Sequence, residues 1–153
     1  GAHIGEWHDP ETHLIPLVLR SAMDAAKPVR IFGEDYATKD GTCVRDYIHV
    51  CDLADGHILA LERLLAGEPS TDFNLGNGQG YSVREILACA EGVVGKPIPA
   101  ISSPRRPGDP DILIGDSRKA MAGLGWKPKL ADLETILKTA WDWEKRRAEL
   151  AAT

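Results

Sequence analysis

The chain has 153 residues, 43% of them hydrophobic and 27% charged, with a formal net charge of -5, a composition that belongs to a globular protein built on one core. An acidic balance without any lysine and arginine stripe excludes a general nucleic-acid binder. No apolar run approaches the roughly 20 residues of a membrane helix, and "GAHIGEWHDP" has neither the basic nor the apolar stretch of a leader, so the expected setting is soluble and cytoplasmic.

From Thr12 to about Ala26 the residues Leu14, Ile15, Leu17, Val18 and Ala22 recur at helical spacing. Pro16 fits only in a first turn, which places the helix start near Thr12 to His13. "KPVRIFGEDY" follows as a strand ended by Gly33, and "YATKDGT" as a turn-rich loop. "VRDYIHV" is a further expected strand, with Asp52 as the N-cap of a helix that puts Leu53, Ile58, Leu61, Leu64 and Leu65 on one side and ends at Gly67 and Pro69. "DFNLGNGQGY" is expected to be a strand leaving through three glycines. Ser82 and Glu85 then form a capping box for a helix with Val83, Ile86, Leu87, Ala90 and Val94 inward, stopped by Gly95 and Pro97.

"KPIPAISS" suits an edge strand, because its prolines cannot donate to a ladder on both sides. "PRRPGDPD" is too rich in proline for regular structure, "ILIG" is a short strand, and Asp116 or Ser117 caps a short helix. A last helix from about Asp132 to Glu149 buries Leu133, Ile136, Leu137, Ala140 and Trp141 and carries an exposed basic end at Lys145, Arg146 and Arg147. Strands alternating with helices predict an α/β layered domain, with no repeat, low-complexity tract or linker.

Three places are candidates for binding. In "VRDYIHV", Arg45 offers a planar fork suited to a diphosphate, and Tyr47, two residues on, shares its face; an Arg-Asp surface pair beside a core tyrosine fits the same segment. In "PRRPGD", two arginines between prolines are stiffened for an anion and Asp109 is an acceptor for sugar hydroxyls, or the segment is a solvated basic turn. The helix start at "THLIP" offers backbone N–H groups to an anion, as every helix start does. The glycines of "LGNGQG" are spaced G-x-G-x-G, so a tight strand-to-helix turn is favoured over a dinucleotide cradle. Cys43, Cys51 and Cys89 are odd in number and lack C-x-x-C spacing, which indicates reduced thiols rather than a disulfide framework or zinc site. His3, His8 and His13 recur every five residues but match no metal-ligand motif.

In this order, "GEWHDPETHLIPLVL", "IFGEDYATKDGTCVRDYIHVCDLADGH", "FNLGNGQGYSVREI", "PRRPGDPDILIGDSRKA" and "LGWKP" resemble the C-terminal half of the UDP-glucose 4-epimerases, extended short-chain dehydrogenase/reductase enzymes, from about Gly5 to Arg147. The resemblance implies that residues 1–153 form a small layered UDP-sugar-binding C-terminal domain, lacking the N-terminal Rossmann domain. It implies a parent enzyme that interconverts UDP-glucose and UDP-galactose through a 4-keto intermediate with bound NAD. Arg45 and Arg106 match the diphosphate arginines, Tyr47 a tyrosine of the UDP pocket, Asp109 the acceptor of ribose hydroxyls, Leu14 a backbone N–H donor at the helix start, and Phe32 the segment beside the uridine. His13 stands where many members have asparagine at the phosphates. Leu113 stands near the sugar, where some members have a larger tyrosine, and less crowding there implies room for N-acetylated sugars.

Asp46, His49, Asp52 and Asp55 are then structural. Tyr36, Tyr47 and Tyr81 have Asp40, Cys51 and Glu85 four residues on, so the family's Y-x-x-x-K pair is not here, nor is its G-x-x-G-x-x-G loop. The chain alone is therefore expected to be catalytically silent, with NAD held by the missing N-terminal half, an uncovered apolar face on the "DLADGHILALERL" helix, and a homodimer as the full-length state. Two alternatives stand beside this: another UDP-sugar enzyme, such as a UDP-xylose/arabinose 4-epimerase or a decarboxylase, and a free-standing UDP-binding or interaction module without catalysis.

Overall fold

Three helices carry the core in the computed structural model, which describes residues 4–152. Helix α1 (Leu14–Met23) has Pro16 in its first turn, as its spacing requires, and buries Val18, Leu19, Ser21 and Ala22. Two strands separate it from α2 (Val50–Leu65), and β3 (Gly80–Ser82) leads into α3 (Val83–Val94). Helix α3 opens on the Ser82/Glu85 capping box and closes on Gly95 at a φ of 79°. The last two helices are α4 (Arg118–Leu124) and α5 (Leu133–Ala151), the latter capped by the Asp132 carboxylate, which accepts the Thr135 N–H at 2.8 Å. Helices α1, α3 and α5 pack on one another. Leu19, Ile86, Ala90 and Leu137 are wholly buried between them, and full burial of each leucine or isoleucine is worth about 1.5–3 kcal/mol.

Strand β1 (Val29–Phe32) turns Val29 and Ile31 into this core and Arg30 and Phe32 the other way, the period of two that a strand imposes. It pairs in parallel with β4 (Ala100–Ser103), Val29 opposite Ala100 and Phe32 opposite Ser103. The second sheet has β2 (Val44–Asp46) at its centre, antiparallel to β3 and parallel to β5 (Ile112–Leu113). Arg45 lies opposite Tyr81 on one side and Leu113 on the other. The expected α/β class and the order of helices hold.

Several boundaries differ from the sequence expectation, each for a local reason. His49, not Asp52, caps α2: its Nδ1 accepts the Cys51 N–H at 3.0 Å while Nε2 meets Thr139 Oγ1 at 3.0 Å. Asp52 lies inside the first turn, 1% exposed, and accepts the N–H groups of Lys129 at 2.8 Å and Leu130 at 2.9 Å. Residues 72–79 form no strand. The Asp46 carboxylate takes the N–H groups of Asn77 at 2.9 Å, Gly78 at 3.3 Å and Gly115 at 3.1 Å, in place of a ladder.

Helix α5 runs past Glu149, so Lys145 to Arg147 precede its last turn. Arg147 folds back on buried Glu144 at 2.8 Å rather than forming an exposed basic end. Of the two cap candidates for α4, Asp116 makes the bond, accepting the Arg118 N–H at 3.0 Å, and the Ser117 side chain makes none. The expected uncovered face of α2 is present: Val50, Ile58, Leu61, Leu64 and Leu65 are all more than half exposed. His3 lies outside the described residues.

Replacing buried Asp52 by alanine leaves the Lys129 and Leu130 N–H groups without their carboxylate partner, and each lost bond to a charged acceptor costs about 1 kcal/mol or more. Asp55→Ala removes only an exposed ion pair with Lys129 Nζ at 2.7 Å, which solvent screens to a minor contribution. Urea denaturation should therefore show a clearly lower midpoint for Asp52→Ala than for Asp55→Ala, and equal midpoints would contradict this assignment.

Candidate functional site

The outward face of β1, the end of β2 and the proline-rich loop after β4 enclose a cleft of 460 Å³. Six of the eight residues singled out in the sequence line it: Leu14, Phe32, Arg45, Tyr47, Arg106 and Asp109. The other two do not. His13 turns its Nδ1 to Glu11 Oε1 at 2.9 Å, and Leu113 stands on β5, 59% exposed, outside the lining.

Local structure places each side chain. Phe32 closes β1, and the Arg106 guanidinium stacks on its ring at 4.0 Å, a cation–π contact that orients the arginine without neutralising it. Among the described residues no carboxylate pairs with Arg106. Gly108, at a φ of 78°, lets the loop turn so that the Asp109 N–H reaches Arg106 O at 3.2 Å. Asp109 then meets Arg45: the guanidinium donates to Asp109 Oδ1, to Pro110 O at 2.7 Å and to Val44 O at 2.6 Å.

The Arg-Asp pair that the sequence left open therefore exists, but the partner is Asp109, 64 residues away, rather than neighbouring Asp46. The pair and the anion site are not exclusive, because both groups face the same cleft. Burial, then the neighbouring Cys43 thiol, pushes the Tyr47 phenol well above its usual value, and burial also raises the Cys43 thiol. Both stay uncharged at neutral pH. The charge of the cleft comes from Arg45, Arg106, Lys27 and Arg30 against Asp109 and Glu11.

Lys27, Arg30 and Glu11 were absent from the sequence candidates. Arg30 was accessible by the period of two, since it shares the face of Phe32 on β1. Glu11 had no such signal. Its carboxylate accepts the N–H groups of Thr12 and His13, each at 2.9 Å, and meets Arg20 at 3.3 Å. The N–H groups just before α1 are thus already engaged, which corrects the picture of "THLIP" as a fully open anion site. The helical ladder starts at Leu17, bonded to His13 O at 3.2 Å, so the N–H groups of Leu14 and Ile15 lie ahead of it.

The glycine loop is a packing turn. A Cβ on Gly76 would come within 2.6 Å of Asp46 Oδ2, and one on Gly80 within 2.5 Å of Val44. With the Asn77 and Gly78 N–H groups on Asp46, the loop does not fit a dinucleotide phosphate. The rings of His8 and His13 meet edge to face with centroids 5.3 Å apart, and no group of three or more metal-ligating side chains occurs among the described residues.

Residues 1–76 match the model of the NAD dependent epimerase/dehydratase family. The chain is 54% identical over 142 residues to the UDP-glucose 4-epimerase of Halalkalibacterium halodurans, covering 93% of this chain and 42% of that protein. It superposes with a TM-score of 0.90 on a crystal structure of a UDP-glucose 4-epimerase, at 49% identity over 95% of this chain and 44% of the other. It superposes with a TM-score of 0.91 on the UDP-glucose-4-epimerase from Stenotrophomonas maltophila with bound NAD and formylated UDP-arabinopyranose, at 39% identity over 97% of this chain and 44% of that one. The chain thus spans less than half the length of the relatives it matches.

Burial pushes the Glu11 carboxyl up, but hydrogen bonds from His13 and Thr12 and the Arg20 charge outweigh it and hold the group below its ordinary 4.5. A depressed carboxyl contributes stability that is complete above the unfolded value and is lost as pH falls through the folded one. Glu11→Gln should therefore lower the melting temperature at about pH 6, and the difference should shrink as pH is taken down through the acid range below 4.5. A constant gap between the two proteins across that range would contradict a depressed Glu11.

Proposed function

We propose, from the premise that this chain belongs to the UDP-glucose 4-epimerases as their C-terminal part, that it is the UDP-sugar-binding portion of an enzyme interconverting UDP-glucose and UDP-galactose. The observation that carries this reading is the convergence of Arg45, Arg106, Asp109, Phe32 and Tyr47 on one cleft. Arg45 and Arg106 bind the diphosphate, through charge-assisted bonds that a guanidinium fork makes well. Asp109 accepts the ribose hydroxyls, Phe32 and Tyr47 flank the nucleoside, and the Leu14 N–H at the start of α1 donates to a phosphate oxygen.

His13 and Leu113 belong to the rim on this reading. His13 reaches the phosphates only by leaving Glu11. Leu113, two residues past Asp111 on an exposed edge, bounds the space in which the sugar turns. Residues 1–153 act as one substrate-binding domain.

NAD fits no group among the described residues, since the one glycine-rich turn is closed by Asp46. The parent enzyme holds NAD, and the Y-x-x-x-K pair, in an N-terminal Rossmann portion that covers the apolar face of α2. This chain by itself turns over no sugar. The same reading makes the parent a cytoplasmic homodimer of galactose metabolism, and among the described residues no helix is long and apolar enough to cross a membrane.

Calorimetric titration tests the site. UDP should bind the folded 153-residue chain and bind more weakly as salt rises. Arg45→Ala and Arg106→Ala should each lower UDP affinity by about tenfold or more, while uridine, which has no phosphate, loses much less. Absence of heat from a folded sample, or equal losses for UDP and uridine, would remove the diphosphate assignment.

A further inference from the structure

We propose that Tyr36 is a positioning residue of the nucleotide site, its hydroxyl orienting the Asp109 carboxylate toward the ribose hydroxyls. This inference rests on the reading of the cleft as a UDP site. In the sequence Tyr36 sits in a turn-rich loop where an exposed side chain is expected, yet it is 4% exposed. Its hydroxyl lies 3.5 Å from Asp109 Oδ2, while Arg45 takes Oδ1 of the same carboxylate. The carboxylate thus has a donor facing each of its oxygens.

At 3.5 Å the contact is long for an O–H···O bond, so its effect is orientation rather than strong attraction. Burial, then the charge of Asp109, pushes the Tyr36 phenol up, which keeps it protonated as a donor. No other partner for the hydroxyl is present among the described residues, and a buried tyrosine hydroxyl normally has one.

The loop is built to hold this ring. The Arg105 guanidinium stacks on it at 3.9 Å and is itself anchored by Asp35 at 2.7 Å. Gly33 has a φ of 87°, and a Cβ there would come within 2.6 Å of both the Tyr36 ring and the Arg105 side chain. The Ala37 N–H donates to Asp111 at 3.1 Å, tying the loop after Tyr36 to the segment after Asp109. Ring and hydroxyl thus have separable tasks: the ring packs, and the hydroxyl meets the acceptor that faces the cleft.

The separation can be measured with UDP and 2′-deoxyuridine diphosphate, titrated calorimetrically into wild type and Tyr36→Phe. A hydrogen bond from the 2′-hydroxyl to a carboxylate should give wild type a preference for UDP of about tenfold. In Tyr36→Phe that preference should fall to about threefold or less, with the melting temperature and the affinity for the deoxynucleotide close to wild type. A purely structural tyrosine would instead lower both affinities together, and an unchanged UDP preference in the variant overturns the assignment.

Arg105→Gln removes the stacking cation from a partly exposed position. Its preference should fall in the same direction, and it decides the matter if Tyr36→Phe does not fold. Wild type that binds both nucleotides equally overturns the role of Asp109, and with it this inference, while leaving the UDP site standing. Wild type that binds neither overturns the UDP reading itself.

Discussion

The Asp46 carboxylate, accepting N–H groups from Asn77, Gly78 and Gly115, is the tie on which the arrangement around the cleft depends. Strand β2 is three residues long and β5 two, too short for their ladder alone to hold three segments in register. Side-chain bonds to backbone do much of that work. Asp46 fixes the loop before β3 and the turn after β5, and Asp52 fixes the segment that leads into α5. His49 links the start of α2 to α5 through Thr139. One stretch of some ten residues thereby joins the β3-β2-β5 sheet and α2 to α5, which accounts for its density of polar side chains.

The cleft itself is assembled from parts that cannot position themselves. Arg45 is carried by a short strand, Arg106 and Asp109 by a loop with little regular structure, and Phe32 by a strand of the other sheet. Stacking of Arg106 on Phe32 and of Arg105 on Tyr36 replaces the ladder bonds the loop lacks. The Arg45–Asp109 pair completes the arrangement. It satisfies two charges that are mostly shielded from water. Such a pair fixes geometry more than it adds stability, because ordered charges lose hydration on pairing.

The exposed leucines and isoleucines of α2 have a different origin. Their spacing follows a helical stripe, yet the core formed by α1, α3 and α5 does not cover them. Among the described residues α4, seven residues long, the segment around Phe73 and Leu75, and the Trp126–Leu130 stretch lie against that helix but leave this stripe open. Residues 72–79 have a strand-like composition but find no ladder, and Asn77 and Gly78 are held instead by Asp46.

Much of this was legible in the amino-acid order. Helix positions followed from the 3.6-residue period and from short-range chemistry: the Ser82/Glu85 box, Gly95, Asp132 and the first-turn Pro16 act over four residues or fewer. Residue type and spacing singled out Arg45, Tyr47, Arg106 and Asp109, the family resemblance added Leu14, Phe32, His13 and Leu113, and six of these eight line one cleft. What the order could not determine was every interaction spanning long sequence separations. Nothing near Asp52 reveals that it serves Lys129 and Leu130, so a capping role was the natural inference, and His49 took that role because its ring reaches both Cys51 and Thr139. Arg45 finds Asp109, and Tyr36 is buried, only because the loop after β4 folds over β1 and β2. Local spacing determines which elements form; only the closing of the chain on itself decides which charges meet.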